Sequence, residues 1–224
     1  MRHCRAALDL RRQILALANA GAEARLVPVP GGIEIRDGDR VVRPNLFGFE
    51  EDANGDVLTG FGRFDPPTTA LDADGRGVPY ATYAFGAQIA LVEVDVELGT
   101  TRVLRVVAAH DVGRAINPTL VEGQIHGGIA QGIGLALMEE YVPGRNDNLH
   151  DYLIPTVGDV PPIEVILIED AEPLGPFGAK GVGEPAMIPT APAILGAIEH
   201  ATGVRVTRVP ATPDRLRAAI LAAR

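Results

Sequence analysis

The chain has 224 residues, 46% of them apolar and 22% charged, with a formal net charge of −9, a balance that suits a globular protein able to bury a core as one large domain or two small ones. No run approaches the ~18 uninterrupted apolar residues of a membrane span, and no basic tract occurs, which argues against a transmembrane helix, nucleic acid and anionic membrane as partners. A single cysteine, Cys4, excludes an internal disulfide framework and an iron–sulfur or structural zinc site within this chain, and the lack of a signal-type apolar stretch makes the cytoplasm the expected location.

Residues Ala6 to Ala20 have helical spacing, with Leu8, Ile14 and Leu17 on one face, Leu10 and Leu15 beside them, and Gly21 as a stop. This helix opens almost at Met1, so it is expected either to pack on a preceding element of a partner chain or to fold back on its own core. Residues 25–43 alternate weakly, broken at Pro28, Pro30 and Gly31-Gly32, and Asp37-Gly38 reads as a hairpin turn. From Pro44 to Pro79 the chain is rich in Gly, Asp and Pro, with short apolar pieces at Leu46–Phe49 and Val57–Phe64. So long a connection is expected to wrap over a partner, a mobile loop being the alternative. The organisation expected is an N-terminal helix and hairpin over 1–43, an extended segment over 44–79, and a core over 80–224.

The clearest strand signal lies at 82–98 and 101–110. Ala87, Ile89 and Leu91 alternate with Gln88, Ala90 and Val92, and Gly99 supplies the turn of an antiparallel hairpin. Asn117-Pro118 then forms an N-cap with proline at the first helical position, predicting a helix to about Tyr141. Gly123, Gly127, Gly128, Gly132 and Gly134 would each cost that helix ~1 kcal/mol relative to alanine, so tertiary contact must offset them. The spacing puts Gly123, Gly127 and Gly134 on one face with Gln124 and Gln131. Such a face admits close approach either by a ligand with hydrogen-bonding edges or by a packed helix or strand.

Pro162 to Glu169 reads as a strand apolar on both faces and therefore buried. Thr190 and Pro192 start a helix that Gly203 stops, Val204 to Val209 reads as a strand, and Thr212-Pro213-Asp214 caps a final helix. Between these elements lies Gly178-Ala179-Lys180-Gly181-Val182-Gly183-Glu184-Pro185. Lys180 is the only lysine in the chain, and Glu184 is a lone carboxylate between glycines and a proline. Glycine lets a backbone approach a ligand closely and proline fixes φ, so the carboxylate looks positioned, a surface turn with an incidental glutamate being the plainer reading. Only 4% of residues are aromatic and tryptophan is absent, so part of any pocket for a flat organic molecule is expected on another chain.

Four stretches in order resemble the molybdenum hydroxylases, the family of xanthine dehydrogenase and aldehyde oxidoreductase: Tyr83–Gln88 with Glu93–Asp95, His110–Pro118, Gly123–Gly132, and Gly178–Pro185. The resemblance is to the C-terminal third of the molybdopterin-binding subunit. It implies an α+β fold of mixed and antiparallel sheets with packed helices, and a molybdenum–molybdopterin cofactor in the cytosine dinucleotide form. Glu184 matches the family's general base, which serves hydroxylation of an aldehyde or N-heteroaromatic carbon by water-derived oxygen. Gln124 matches a glutamine near the pterin group; Gly127, Gly128 and Gln131 are weaker matches on the same helix. Lys180, Gly181, Val182 and Gly183 match the loop along the cofactor, Lys180 being alternatively a structural ion-pair partner. His110, His126 and Cys4 match no ligand and are expected to be structural; no side chain is expected to ligate the metal. The family's remaining cofactor cradle is expected on a partner chain, a truncated gene product being the alternative, with 2Fe-2S and FAD on further partner subunits. The competing expectation is a non-catalytic remnant that keeps the fold in a structural or cofactor-handling role.

Overall fold

The structure is a computed structural model that describes residues 2–45 and 49–223, the side chains of residues 2–4 apart. The expected apolar piece at Leu46–Phe49 falls largely on residues 46–48, and the structural role expected of Cys4 on its side chain, both outside that description. The chain divides into two compact units, Met1–Ala81 and Thr82–Arg224.

The first unit holds α1 (Arg2–Leu17) and a sheet of β1 (Arg25–Val29), β2 (Gly32–Asp37) and β3 (Arg40–Val42), antiparallel in the order β1-β2-β3. Its core is Ile14, Leu15, Ala18, Ala24 and Ile35. The helix ends three residues before the expected Ala20, at a left-handed turn through Asn19 (φ 47°). Leu8 and Leu17 of the predicted apolar face remain exposed. Part of the irregular 44–79 segment is tied to this unit's own helix. Gln13 donates to the Thr59 carbonyl at 3.0 Å, Arg5 to Arg63 at 2.8 Å, and the Phe61 N–H donates to Asp9 at 3.0 Å.

The second unit holds β4 (Gly86–Asp95), β5 (Thr100–Asp111), α2 (Pro118–Leu137), β6 (Ile163–Ile168), α3 (Thr190–Thr202) and α4 (Pro213–Ala222). β5 is central, antiparallel to β4 and parallel to β6. The three helices pack on one face of this mixed sheet, α3 on β4, α4 on β5, and α2 on α3 and β6. The core between them is built from Val103, Val106 and Ala108 of β5, Ile125, Ile129 and Ile133 of α2, and Ile194, Ile198 and Leu216 of the last two helices. A register shift at Leu91/Val92 leaves Leu104 and Arg105 both exposed while Val103 and Val106 both point inward.

Several expectations need correction here. β6 is buried on one face only: Ile163, Val165 and Leu167 pack on the core, while Ile166 and Ile168 are exposed because, among the described residues, no helix covers that side. Residues 204–209 form no strand; Val204 and Val206 face the core, but the segment has no ladder partner. α2 stops at Leu137, where Met138 and Glu139 both donate to the Gly134 carbonyl, rather than at Tyr141. Thr212 stands at the N-cap of α4 without a side-chain capping bond. The Asn117 cap is as expected, its side chain accepting from the Leu120 N–H at 3.2 Å.

Candidate functional site

The loop that carries Lys180 and Glu184 is fixed at its start and bare at its end. Phe177 and Gly178 both take positive φ (56° and 86°), which reverses the chain so that the Gly178 carbonyl accepts from Arg114 at 2.8 Å and Glu172 at 2.9 Å. The Lys180 N–H then donates to the Val112 carbonyl at 3.0 Å, pairing the loop with the end of β5. Gly113 (φ 64°) has to be glycine, since a Cβ there would run into the Gly178 carbonyl.

The Lys180 ammonium lies 2.6 Å from Asp111 and 3.8 Å from Asp170, and both Lys180 and Asp111 side chains are under 10% exposed. The ion-pair alternative for Lys180 is thus the arrangement found. Burial pushes the Asp111 carboxyl up, but the Lys180 ammonium and the Gly113 N–H outweigh it and hold its pKa below the ordinary value. Lys180 is raised by its hydrogen bond to Asp111, against the opposing effect of burial.

Beyond Lys180 the loop opens. Val182 packs on the core, while Gly181, Gly183 and Glu184 are exposed. Residues 183–190 then run along α2 in step with it. A Cβ on Gly183 would lie 3.7 Å from Gln124 Oε1, one on Gly128 would lie 2.7 Å from the Ala186 Cβ, and one on Gly132 would overlap Thr190. The glycines of α2 therefore serve two faces. Gly128, Gly132 and Gly134 are buried against neighbouring chain, and Gly134 leaves the face expected of it because Glu139 and Pro155 cover it. Gly123 and Gly127 have no atom within 4 Å of an added Cβ, and Gln124 and Gln131 are exposed beside them. Among the described residues, no side chain partners the Glu184 carboxylate or either glutamine amide.

Behind the loop lies a polar group that the sequence reading did not single out. The Gln88 amide donates to the Ala186 carbonyl at 2.8 Å and lies 3.1 Å from His110 Nε2, while the Thr190 hydroxyl donates to Gln88 Oε1 at 2.8 Å. His110 is 1% exposed, and burial lowers its pKa. Its expected structural role fits this position; His126 is exposed on α2. Gln88 sits in a strand whose alternation could have flagged it, as a polar residue on the inward-facing set with Ala90, Val92 and Val94.

These residues suit a pterin-type group. Bare helix backbone at Gly123 and Gly127, open loop backbone at Gly181 and two unpartnered amides offer close approach and hydrogen bonds to a flat polar edge. Among the described residues, no cluster of three or more His, Cys, Asp or Glu side chains could hold a metal directly.

Residues 3–161 match the model of the molybdopterin cofactor-binding domain, a span that includes the α2 residues and ends before the Glu184 loop. The chain is 43% identical over 139 residues to the xanthine dehydrogenase molybdenum-binding subunit of Escherichia coli O157:H7, covering 59% of this chain and 18% of that protein. It is 36% identical over 168 residues to the 6-hydroxypseudooxynicotine dehydrogenase complex subunit gamma of Paenarthrobacter nicotinovorans, covering 68% of this chain and 21% of that protein. The crystal structure of the aldehyde oxidoreductase from Desulfovibrio desulfuricans superposes with a TM-score of 0.69 at 38% identity, covering 75% of this chain and 19% of that one. The chain thus spans about a fifth of the length of the relatives it matches. With its α+β fold, its two-faced glycine helix and these matches, the chain belongs to the molybdopterin cofactor-binding domain family, as part of a molybdenum subunit of the xanthine dehydrogenase and aldehyde oxidoreductase type.

Proposed function

We propose that this chain forms one side of the active site of a molybdenum hydroxylase and supplies its general base, Glu184. The observation that carries this reading is the Glu184 carboxylate itself, exposed and, among the described residues, unpartnered on a loop anchored at its other end, beside the open face of α2. Bound molybdopterin supplies the redox centre that accepts the substrate's electrons. Gln124 and Gln131 bind its polar edge through their amides, and Gly123, Gly127 and the Gly181–Gly183 backbone let it lie close, whereas Gly128, expected beside them, is buried against Ala186 and leaves the cofactor face. Lys180 acts from behind, holding the loop through Asp111. Because its ammonium is spent there, the loop's one cation does not neutralise Glu184. A Glu184 Oε atom then takes the proton of the water-derived oxygen that attacks an aldehyde or N-heteroaromatic carbon. Substrate-facing groups, 2Fe-2S and FAD lie on partner chains in this reading, and the cofactor is the cytosine dinucleotide form; the relatives named as subunits support an assembly of this kind.

The test is a Glu184→Gln variant co-assembled with the chain that carries the rest of the molybdenum subunit. It should retain its molybdenum and lose turnover by about 10²–10⁴-fold, the usual contribution of a positioned base. Turnover at the wild-type rate would reject the assignment.

A further inference from the structure

We propose that Gln88 is a positioning residue for Glu184, clamping the turn that carries the carboxylate and holding His110 as the neutral Nδ1–H tautomer. The positioning role rests on the reading of Glu184 given above. The hydrogen-bond logic leaves little freedom. A backbone carbonyl only accepts, so the Gln88 atom 2.8 Å from the Ala186 oxygen must be the NH₂ nitrogen. With the amide so oriented, Gln88 Oε1 is free to accept the Thr190 hydroxyl at 2.8 Å. The second amide N–H then faces His110 Nε2 at 3.1 Å. Nε2 therefore presents a lone pair, and the ring proton belongs on Nδ1. That nitrogen is buried without a protein partner among the described residues, against the bare α-carbon of Gly86, where a Cβ would lie 2.7 Å away.

The link to Glu184 is short. The Met187 N–H donates to the Glu184 carbonyl at 3.0 Å, and the Thr190 N–H to the Met187 carbonyl at 3.1 Å. Ala186 lies inside this pair of turns, and Pro185 and Pro189 bring no N–H to stiffen it. The tie from the turn to the sheet runs through Gln88, whose partners are 98 and 102 residues further along the chain. A base displaced by about 1 Å can lose roughly 10²-fold in rate, so the clamp controls catalysis without touching substrate.

Three measurements test this. In the wild-type full chain, ¹⁵N spectra of the His110 ring should show the proton on Nδ1 and a bare Nε2; a proton on Nε2 overturns the assignment. In Gln88→Leu, amide exchange at Met187 should quicken at least about tenfold while the α2 and β5 cores keep their protection; unchanged exchange at Met187 overturns the clamp. Should that variant fail to fold, Thr190→Val removes at constant size the hydroxyl's bond to Gln88 and its longer contact, 3.3 Å, to the Ala186 carbonyl, and should also speed Met187 exchange, severalfold; no change again overturns it. In the loaded assembly, using whichever aldehyde or N-heterocycle the wild type oxidises, Gln88→Leu should lower kcat at least about tenfold with KM and molybdenum content held, and an undiminished kcat removes the positioning role. If Glu184→Gln stays active, the base assignment falls while the His110 tautomer and the Met187 response stand, so the two failures are distinct.

Discussion

The two faces of α2 use the same residue for opposite purposes. On the buried face, Gly128 and Gly132 let Ala186 and Thr190 come against the helix backbone, and the space a side chain would need is already filled. On the open face, Gly123 and Gly127 leave that space empty beside Gln124 and Gln131. The loop above repeats the contrast with charge: Lys180 is buried on Asp111, whereas Glu184 is exposed and, among the described residues, unpartnered. One side of the loop–helix unit holds the fold, and the other is kept bare for a ligand. Glycine in a helix costs ~1 kcal/mol against alanine, so the buried glycines are offset by packing while the open ones stay a net cost in the chain by itself.

The contrast breaks most severely if the buried charge loses its partner. Asp111→Ala leaves the buried Lys180 ammonium only the exposed Asp170 carboxylate at 3.8 Å, and scanning calorimetry should register a fall in Tm of roughly 10 °C. Asp111→Asn should reveal the pH signature of the pair. Asp111 has a depressed pKa, so its stabilisation is present above the ordinary carboxylate value and lost as pH falls through the folded one. Lys180 has a raised pKa, so its share is present below the ordinary lysine value and lost as pH rises through the folded one. Denaturation midpoints across pH should therefore fall at both acidic and alkaline ends in the wild type, and flatten in Asp111→Asn. Next in size is Gly132→Ala, whose methyl group would overlap Thr190 and should cost about 1–3 kcal/mol by urea denaturation even after the helix-propensity gain. Gly128→Ala, at 2.7 Å from the Ala186 Cβ, should cost less, about 1 kcal/mol.

Much of this was legible from residue order. The Asn117-Pro118 cap, the Gly99 turn and the Gly203 stop (φ 73°) are local chemistry, and they stand where local rules put them. The division of the α2 glycines was only half legible. Helical spacing puts Gly134 in line with Gly123 and Gly127, and what buries it is Pro155, supplied by irregular chain well beyond the helix, together with Glu139. Alternation misled twice for one reason: it reports which side of a strand is apolar, not what covers the other side or whether a neighbour pairs with it. Hence Ile166 and Ile168 are exposed, and Val204–Val209 has no ladder. Alternation could mark Gln88 as a polar residue on the inward-facing set, but its partners lie 22, 98 and 102 residues away, where no local pattern names them.

The smallest stability effects belong to the open face, and they carry the functional claim. Gly123→Ala meets nothing within 4 Å and should leave the chain unchanged or up to ~1 kcal/mol more stable in denaturation, with less molybdenum bound by the assembled enzyme. The most direct measurement is the molybdenum-to-protein ratio of an assembly carrying Gly127→Leu, alongside the melting temperature of the same chain. Leucine suits a helix better than glycine and its Cβ meets no neighbour there, so the melting temperature should hold or rise while bound molybdenum falls at least about tenfold. An assembly that keeps its full complement of molybdenum with leucine at position 127 would contradict the assignment of the open face to the cofactor.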